Sequence, residues 1–493
     1  MAAILVLLAL TALAEGSPPQ AFSRSAWIAA QRRWARFDGG LEPTTRRSRA
    51  EFLQAAAGRP LRRPRPNPGG PPNLRISADI LEADAASAAQ PETEAEPSLA
   101  ANPANEAHLV AGYQEDRFED GGARALTWAV SFDTGQHWQE GLLPELTRAA
   151  GGPFERASDP WVAFGAEGRV YYATLAFDET RPDNGVAVSA SEDGGLSWGA
   201  PSIVHLNRNQ DFDDKEAVVV DNAPGSPFSG RVYVAWDTVT ADRRQLLRVA
   251  RSEDGGATWS APVEVWGQGA NLGAIPLVGP GGVLHLLWMS YFVDHVEIRA
   301  ARSDDGGESW SEPVLVTEAT AHGIAGVRTG ELIAAAIDPR SGRIYLVWPD
   351  QRFTPGTDQI ALAVSNDGLT WSAPQRVSDG PDDAASFTPA VAVNGQGKFG
   401  VAYSTLRNDP ERRFLVDQYF VTTNSRGRLL GATRSSTASF DLRDAAIARG
   451  WFLGDYQGLV AGKRAFRAVW VATSEPSRLR AGKQPDVVTL VVR

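Results

Sequence analysis

An eight-residue motif, Ser-x-Asp-x-Gly-x-x-Trp, recurs along the chain and strongly restricts how it can fold. Full copies begin at Ser131, Ser191, Ser252 and Ser303, and a copy one residue shorter begins at Ser365. The copies start about 50–60 residues apart, a period typical of blades or solenoid repeats. In such a turn the Asp accepts hydrogen bonds from backbone N–H groups, the Gly adopts a positive φ, and the Ser can bond the Asp. The motif therefore predicts repeated structural turns.

Each period also repeats the same order of strands. A short apolar strand precedes a strand rich in Val, Tyr and Trp, and an alternating strand then leads into the motif, with a last strand after its Trp. The second strands align at residues 108–117, 169–178, 231–239, 283–292, 343–352, 398–407 and 464–474. This pattern predicts an all-β fold for residues 73–493, a seven-bladed β-propeller of four-stranded antiparallel blades.

The last period has three strands, so its sheet lacks an outer strand. A missing outer strand would leave an open sheet edge. Residues 73–80, just before the first period, are the obvious donor. We predict that they pair with the sheet formed by residues 455–493 and so close the ring.

The N-terminal residues differ in character from the rest. Residues 1–14 form an apolar run ending in Ala-Leu-Ala, typical of a signal peptide and too short to span a bilayer comfortably. Residues 15–72 carry eleven Arg against four acidic residues and end in a Pro-rich linker, and residues 25–37 and 44–58 have helical spacing. We expect a signal peptide and then a short, partly helical, basic region; the alternative for residues 1–14 is a buried helix.

Composition excludes several classes of function. The net charge of −11 argues against nucleic acid as the main partner, and no second apolar run indicates a membrane span. Cysteine is absent, so there is no thiol nucleophile and no thiolate metal site. The six His lack metal-ligand spacing, and the chain has no G-x-S-x-G, P-loop or G-x-G-x-x-G motif.

The repeated turns resemble the Asp-box (BNR) repeats of the sialidase-like superfamily, and the resemblance covers roughly residues 73–493. That superfamily includes sialidases, other glycoside hydrolases, lyases and non-enzymatic propellers. The resemblance implies that the Asp boxes mark the face away from the ligand site. The opposite face would be built by the loops that precede each first strand and follow each second strand.

A retaining sialidase needs a Tyr nucleophile assisted by a Glu, an Asp as general acid–base, and arginines that clamp the substrate carboxylate. The resemblance assigns Tyr456, Glu216 and Asp159 as candidate catalytic residues. The family's Arg-Ile-Pro element is missing here. The candidates for substrate binding are Arg117, Arg352, Arg407, Asp455 and Trp451.

Other roles for these residues stay open. Each Arg could pair with a neighbouring loop acid, and Tyr456 could simply pack in the channel. Glu96, Asp159, Glu216 and Asp455 begin equivalent strands, so a ring of carboxylates could instead hold a cation such as Ca²⁺. No cofactor is otherwise required.

The sequence thus predicts a secreted or periplasmic, monomeric, sialidase-like propeller that acts on extracellular glycans or glycoconjugates as a glycoside hydrolase. The alternative is a non-catalytic Asp-box propeller that binds glycan or protein.

Overall fold

A computed structural model describes residues 72–492 except 83, 85, 330, 425–426 and 477–482. The predicted signal peptide, and the basic region up to residue 71, lie outside the described residues. Helical structure in the described part consists of four short 3₁₀ helices, Arg148–Ala150, Ala166–Gly168, Pro280–Gly282 and Leu442–Asp444. Among these residues no helix is long and apolar enough to cross a membrane.

We group the strands by the sequence period in which they lie and call each group a unit. The strands of the first and second units join in one eight-stranded sheet through the pairing of Ala123 with Ala157. Strand β1 (Leu74–Arg75) precedes them. The first unit contains β2 (Glu94–Asn102), β3 (Asn105–Arg117), β4 (Ala123–Ser131) and β5 (Gln139–Leu142). The second contains β6 (Arg156–Phe164), β7 (Val170–Phe177), β8 (Asn184–Ser191) and β9 (Ser202–Asn207). The third contains β10 (Phe212–Val220), β11 (Val232–Val239), β12 (Gln245–Ser252) and β13 (Val263–Trp266).

The later units follow the same order. The fourth contains β14 (Ala270–Val278), β15 (Leu284–Tyr291), β16 (Val296–Ser303) and β17 (Val314–Ala319). The fifth contains β18 (Ala334–Ile337), β19 (Ile344–Asp350), β20 (Gln359–Ser365) and β21 (Gln375–Arg376). The sixth contains β22 (Ser386–Val393), β23 (Phe399–Thr405), β24 (Leu415–Thr422) and β25 (Thr433–Arg434), and short strands β26 (Phe440–Asp441), β27 (Ala446–Ile447) and β28 (Trp451–Phe452) follow it. The seventh contains β29 (Gly458–Ala461), β30 (Phe466–Pro476) and β31 (Lys483–Val492).

Strand β1 completes the sheet of the seventh unit, as predicted. The order in that sheet is β1-β31-β30-β29, and Leu74 lies opposite Thr489. Beyond β1, the amide of Ile76 donates to the carbonyl of Val487 at 2.9 Å. The start of the described chain therefore covers the outer edge of its last sheet.

The sheets pack side by side through their apolar faces. The first strand of each unit packs against the first strand of the next unit, and β29 packs against β2. The second strands supply the large rings predicted from their composition. Trp236, Trp288, Trp348 and Trp470 are at most 1% exposed in β11, β15, β19 and β30. This all-β arrangement of four-stranded antiparallel sheets is consistent with a β-propeller.

The motif turns have the predicted chemistry. Ser191 donates its hydroxyl to Asp193 at 2.8 Å, and Asp193 accepts from the amide of Ser197 at 2.9 Å. Gly195 has a φ of 99° and donates its amide to Ser191 at 2.7 Å. Trp198 is buried in a cluster that contains side chains of both the first and the second unit. The turn is therefore stabilised by its own side chains, and its Trp joins neighbouring sheets.

Candidate functional site

Three successive first strands contain the same backbone irregularity at the same place. Glu96, Asp159 and Lys215 have φ values of 54°, 53° and 52°, in the left-handed region. Each lies where the pairing of β2, β6 or β10 with its second strand shifts register, which defines a β-bulge. A bulge re-aims a side chain, and a left-handed residue other than glycine costs about 1–2 kcal/mol. Strained residues at three equivalent positions are typical of a functional site.

The three side chains meet in a buried cluster centred on Lys215. Its ammonium donates to Asp159 at 2.6 Å and to Glu96 at 3.2 Å, and lies 2.9 Å from an oxygen of Asp455. Asp455 reaches the cluster from the segment before β29, where Gly454 has a φ of 139°. A Cβ on Gly454 would lie 2.9 Å from the amide nitrogen of Glu96, so only glycine allows this approach.

Two arginines complete the cluster. Arg328 forms a bidentate pair with Asp455, one of its bonds measuring 3.0 Å. Arg117, at the end of β3, lies 3.7 Å from Glu96. Both guanidinium groups stack on the ring of Phe452, at 4.4 Å for Arg117 and 4.5 Å for Arg328. Three cations therefore face three carboxylates, with the cations held partly by an aromatic ring.

The buried charges move the acid pKa values apart. Burial raises the pKa of Glu96, although the ammonium of Lys215 opposes this. Burial also opposes ionisation of Asp455, but Arg328 and Lys215 outweigh it and hold the pKa of Asp455 well below its usual range. Burial would lower the pKa of Lys215, but Asp159, Asp455 and Glu96 raise it above its ordinary value. The carboxyl of Glu96 is therefore suited to carry a proton, and that of Asp455 to stay ionised.

A cleft and an axial cavity meet at this cluster. The cleft, of about 50 Å³, is lined by Glu96, Asp159 and Lys215 together with both arginines. The axial cavity, of about 140 Å³, is lined by residues from all seven units. Asp159 and Lys215 line both spaces. The acid cluster therefore lies where a polar cleft adjoins a space between the first strands.

The structure brings several predicted residues together. Asp159, Asp455 and Arg117 all belong to the cluster. Tyr456 lies beside it, with its ring 5.6 Å from the ammonium of Lys215, and its hydroxyl donates to the carbonyl of Pro160 at 3.0 Å. Burial raises the pKa of Tyr456 well above its ordinary value.

Lys215, the residue before Glu216, occupies the position that we expected for Glu216. We expected Glu216 to begin a strand equivalently to Asp159, but the bulge of β10 places Lys215 there. Glu216 is 2% exposed, and neither of its carboxylate oxygens has a hydrogen-bond partner among the described residues. Burial, and then the charge of Asp159, raise its pKa well above the usual range.

Two predicted substrate-binding arginines lie elsewhere. Arg352 pairs with Asp350 at 2.7 Å, as the alternative of a neighbouring loop acid predicts. Arg407 pairs with Asp379 at 2.7 Å. Neither is among the residues that line the cleft, so the structure does not gather Arg117, Arg352 and Arg407 into one clamp.

The expectation for Trp451 also differs from the structure. Its ring is 4% exposed and packs edge-on against Phe414 at 5.2 Å, within the apolar core between the sixth and seventh units. It therefore has no face to offer a sugar. Trp161, in β6, packs edge-on against Tyr456 at 5.4 Å.

Sequence reasoning missed Lys215 and Arg328. A signal for Lys215 was present: Glu96, Asp159 and Thr388 each precede a proline early in a first strand, and Lys215 aligns with them. Arg328 lies in an irregular segment before β18, where no strand pattern points to it. Its role depends on a contact with a residue more than a hundred positions away.

The predicted carboxylate ring contains a cation from the chain itself. The ammonium of Lys215 lies among Glu96, Asp159 and Asp455, where the Ca²⁺ alternative placed a metal ion. Within the described residues no group of three or more His, Asp or Glu is arranged to hold a metal.

Comparison with known proteins gives matches to solved structures alone. No family model matches the chain. No curated protein matches it either. A protein of unknown function from Dyadobacter fermentans is 15% identical, with a TM-score of 0.46, over 87% of this chain and 100% of that one.

The similar structures include glycoside hydrolases. A leech intramolecular trans-sialidase is 14% identical, with a TM-score of 0.46, over 80% of this chain and 72% of that one. An α-L-arabinofuranosidase from Fusarium graminearum is 13% identical, with a TM-score of 0.43, over 68% and 93% of the two chains. At these values, the function has to be argued from the geometry of this chain.

Proposed function

We propose that the chain is a seven-bladed propeller that hydrolyses glycosides at the cleft beside Asp159. The observation that carries this proposal is the convergence of Glu96, Asp159 and Lys215 from three equivalent strained bulges. The contacts of each first strand with the next, and of β29 with β2, support the blade number. Ligands of propellers bind over the central channel, where this cluster lies.

Glu96 and Asp159 divide the acid and base roles in this proposal. Glu96, whose pKa burial raises, donates a proton to the oxygen of the leaving group. Asp159, bonded to the ammonium of Lys215, accepts a proton from the water that attacks the anomeric carbon. Lys215 holds both carboxyls at hydrogen-bond distance from one nitrogen, which fixes their geometry. The nucleophilic role of Tyr456 stays a prediction.

The charge balance favours a neutral sugar over sialic acid. Arg117 and Arg328 already face carboxylates of the cluster, so a substrate carboxylate would compete with Glu96 and Asp455 for them. A neutral sugar needs hydrogen bonds only. We therefore propose a neutral glycoside as substrate, and a sialoside is the sialidase-like alternative.

A screen against fluorogenic glycosides tests the proposal. We expect turnover of at least one neutral glycoside by the purified chain, and a loss of about 100-fold or more in kcat for Asp159→Asn and Glu96→Gln. Turnover of a sialoside alone would overturn the neutral-sugar assignment. Full activity in Asp159→Asn would overturn the site.

A matched control separates chemistry from stability. Glu94→Gln changes a carboxyl that is also buried in β2, but Glu94 does not line the cleft. We expect this variant to keep its kcat. A comparable loss of kcat in Glu94→Gln would mean that replacing a buried acid of β2 lowers kcat only because it impairs the fold.

The second candidate function is a non-catalytic propeller that binds glycan or protein. The observation that favours it is that the charges of the cluster pair with one another. The side chains of Lys215, Glu96 and Asp159 are at most 7% exposed. It predicts no turnover of any glycoside, with glycan or protein binding unchanged by Glu96→Gln.

We also propose export, with residues 1–14 as the signal peptide and a monomeric mature chain. The apolar run ending in Ala-Leu-Ala supports this. N-terminal sequencing of protein recovered from the medium or periplasm should begin at residue 15. A product that retains Met1 in the cytoplasm would overturn the proposal.

A further inference from the structure

The axial cavity has walls that differ from those of the cleft. Apolar side chains from the first strands and the segments beside them line it, among them Leu99, Val162, Ile275, Ile333 and Val391. In the fourth unit the bulge position is occupied by Gly273, with a φ of 69°, so no side chain enters the cavity there. The space is therefore mostly apolar, unlike the charged cleft that it adjoins.

Two uncharged polar residues at its surface, Ser98 and Gln457, hydrogen-bond within the protein. The buried carboxyl of Glu216 also lines the cavity and has no hydrogen-bond partner among the described residues. The hydroxyl of Ser98 accepts from the amide of Val162 at 3.1 Å. Gln457 accepts from Gln418 at 2.7 Å and donates to the carbonyl of Thr388 at 2.7 Å. Glu216 offers a partner to one hydroxyl group, whereas a ligand rich in hydroxyl groups would leave most of them unpaired, and its desolvation would be costly.

The size of the cavity matches a single six-membered ring. Its volume is about 140 Å³, and an apolar cavity of roughly 150 Å³ admits benzene. The edge-on pair of Trp161 and Tyr456, with ring centroids 5.4 Å apart, belongs to the cavity wall. Aromatic walls favour an aromatic guest, since offset and edge-on ring contacts add to apolar burial.

We propose that the axial cavity binds a neutral aromatic ring of about the size of phenol, as the subsite for the leaving group of an aryl glycoside. Asp159 and Lys215 line both spaces, so the bond between sugar and ring would lie at the acid cluster. The leaving-group role rests on the proposed function. Ring binding itself does not.

Titration calorimetry with phenol tests ring binding without any enzymatic assay. We expect saturable binding of one phenol per chain and no binding of myo-inositol, a ring of hydroxyl groups. Ala335→Leu adds bulk to the cavity wall and should weaken phenol binding at least about tenfold. The matched control is Ala336→Leu in the same strand, because Ala336 does not line the cavity.

A second filling variant guards against misfolding. Ala334→Leu, in β18, also lines the cavity at a partly buried position and should have the same effect if Ala335→Leu fails to fold. Absence of saturable phenol binding, or binding unchanged by both filling variants, would overturn the inference. Equal binding of myo-inositol would also overturn it.

A comparison of two glycosides tests the leaving-group role separately from ring binding. With one sugar held constant, a phenyl glycoside should show a KM at least about fivefold below that of the methyl glycoside, and Ala335→Leu should remove this difference. Phenol binding without hydrolysis of any glycoside would refute the proposed function and leave the ring site. Hydrolysis without phenol binding would refute the ring site and leave the proposed function.

Discussion

The ammonium of Lys215 donates to a carboxylate oxygen of Asp159 at 2.6 Å, across the boundary between the cleft and the axial cavity. Both residues take the same left-handed conformation in successive first strands. A buried ion pair is weak evidence of stability, because the desolvation of both charges offsets their attraction. The pair of Lys215 and Asp159 lies at strained bulges, so it is better explained by a role in positioning. The ammonium of Lys215 holds the carboxylates of the cluster around one nitrogen.

Removal of the Lys215 charge should destabilise the fold strongly. Lys215→Met would leave Glu96, Asp159 and Asp455 buried without their shared cation, at a cost of about 3–5 kcal/mol in the free energy of unfolding. Urea unfolding at neutral pH measures this cost. The loss should shrink at acid pH, where the carboxyls can be protonated.

The control for this experiment is Lys463→Met, which changes an exposed lysine. It should alter stability by less than about 0.5 kcal/mol. A Lys215→Met variant as stable as the control would show that the cluster does not need the ammonium.

Stability should fall as pH rises, because of Glu94. Burial raises the pKa of Glu94 well above 4.5, and the charges of Glu115, Asp486 and Asp79 add to this while Arg75 opposes it. The folded chain therefore binds more protons than the unfolded chain above about pH 4.5. This contribution is complete below the unfolded pKa and is lost as pH rises through the folded pKa.

Glu94→Gln should flatten that dependence. The amide cannot ionise, so the free energy of unfolding should change less between pH 5 and about pH 9 than in the unaltered chain. The exposed Glu312, changed to Gln, is the control and should leave the slope intact. An identical slope in Glu94→Gln would assign the pH dependence to other groups.

An Asp-box variant should lose stability and keep its function. Asp193→Ala removes the acceptor for Ser191 and for the amides of Leu196 and Ser197. Thermal unfolding should therefore occur several degrees lower. Ligand affinity or kcat should stay within about twofold, because the turn follows the end of β8, whereas the cleft-lining Phe177 pairs with Asn184 at the start of that strand. A loss of function at unchanged melting temperature would contradict the assignment of faces.

Arg75 should help to hold the outer strand β1 on the last sheet. Its guanidinium lies 2.7 Å from Asp486, which is fully buried. Arg75→Met should cost about 2 kcal/mol in the free energy of unfolding, since one partner of the pair is still partly solvated. Deletion of residues 73–80 should cost more and broaden the unfolding transition. A deletion variant with an unchanged melting temperature would show that β1 does not close the fold.

Tyr456→Phe tests the role of the tyrosine hydroxyl. This hydroxyl donates to the carbonyl of Pro160 at 3.0 Å, so its loss should cost about 1 kcal/mol in stability. With Glu96 and Asp159 as acid and base, we expect kcat for a neutral glycoside to fall by less than about tenfold. Loss of nearly all turnover with an unchanged melting temperature would establish Tyr456 as the nucleophile.

Much of the architecture follows from local sequence. The turn at Ser191 forms from bonds within seven residues, and so it can be predicted from the motif. The seven second strands were predicted at the places where they occur, because their apolar rings have to be buried between sheets. The pairing of β1 followed from counting strands in the last period.

The site depends on contacts that local sequence does not encode. A shift of one residue in the bulge of β10 places Lys215, and not Glu216, among the carboxylates. Arg328 reaches Asp455 across more than a hundred residues of chain. Sequence by itself determined the repeated sheets, because turns and alternating strands are local. Tertiary structure alone decided which charges meet, because the meeting point depends on backbone register and on the closing of distant segments over one another.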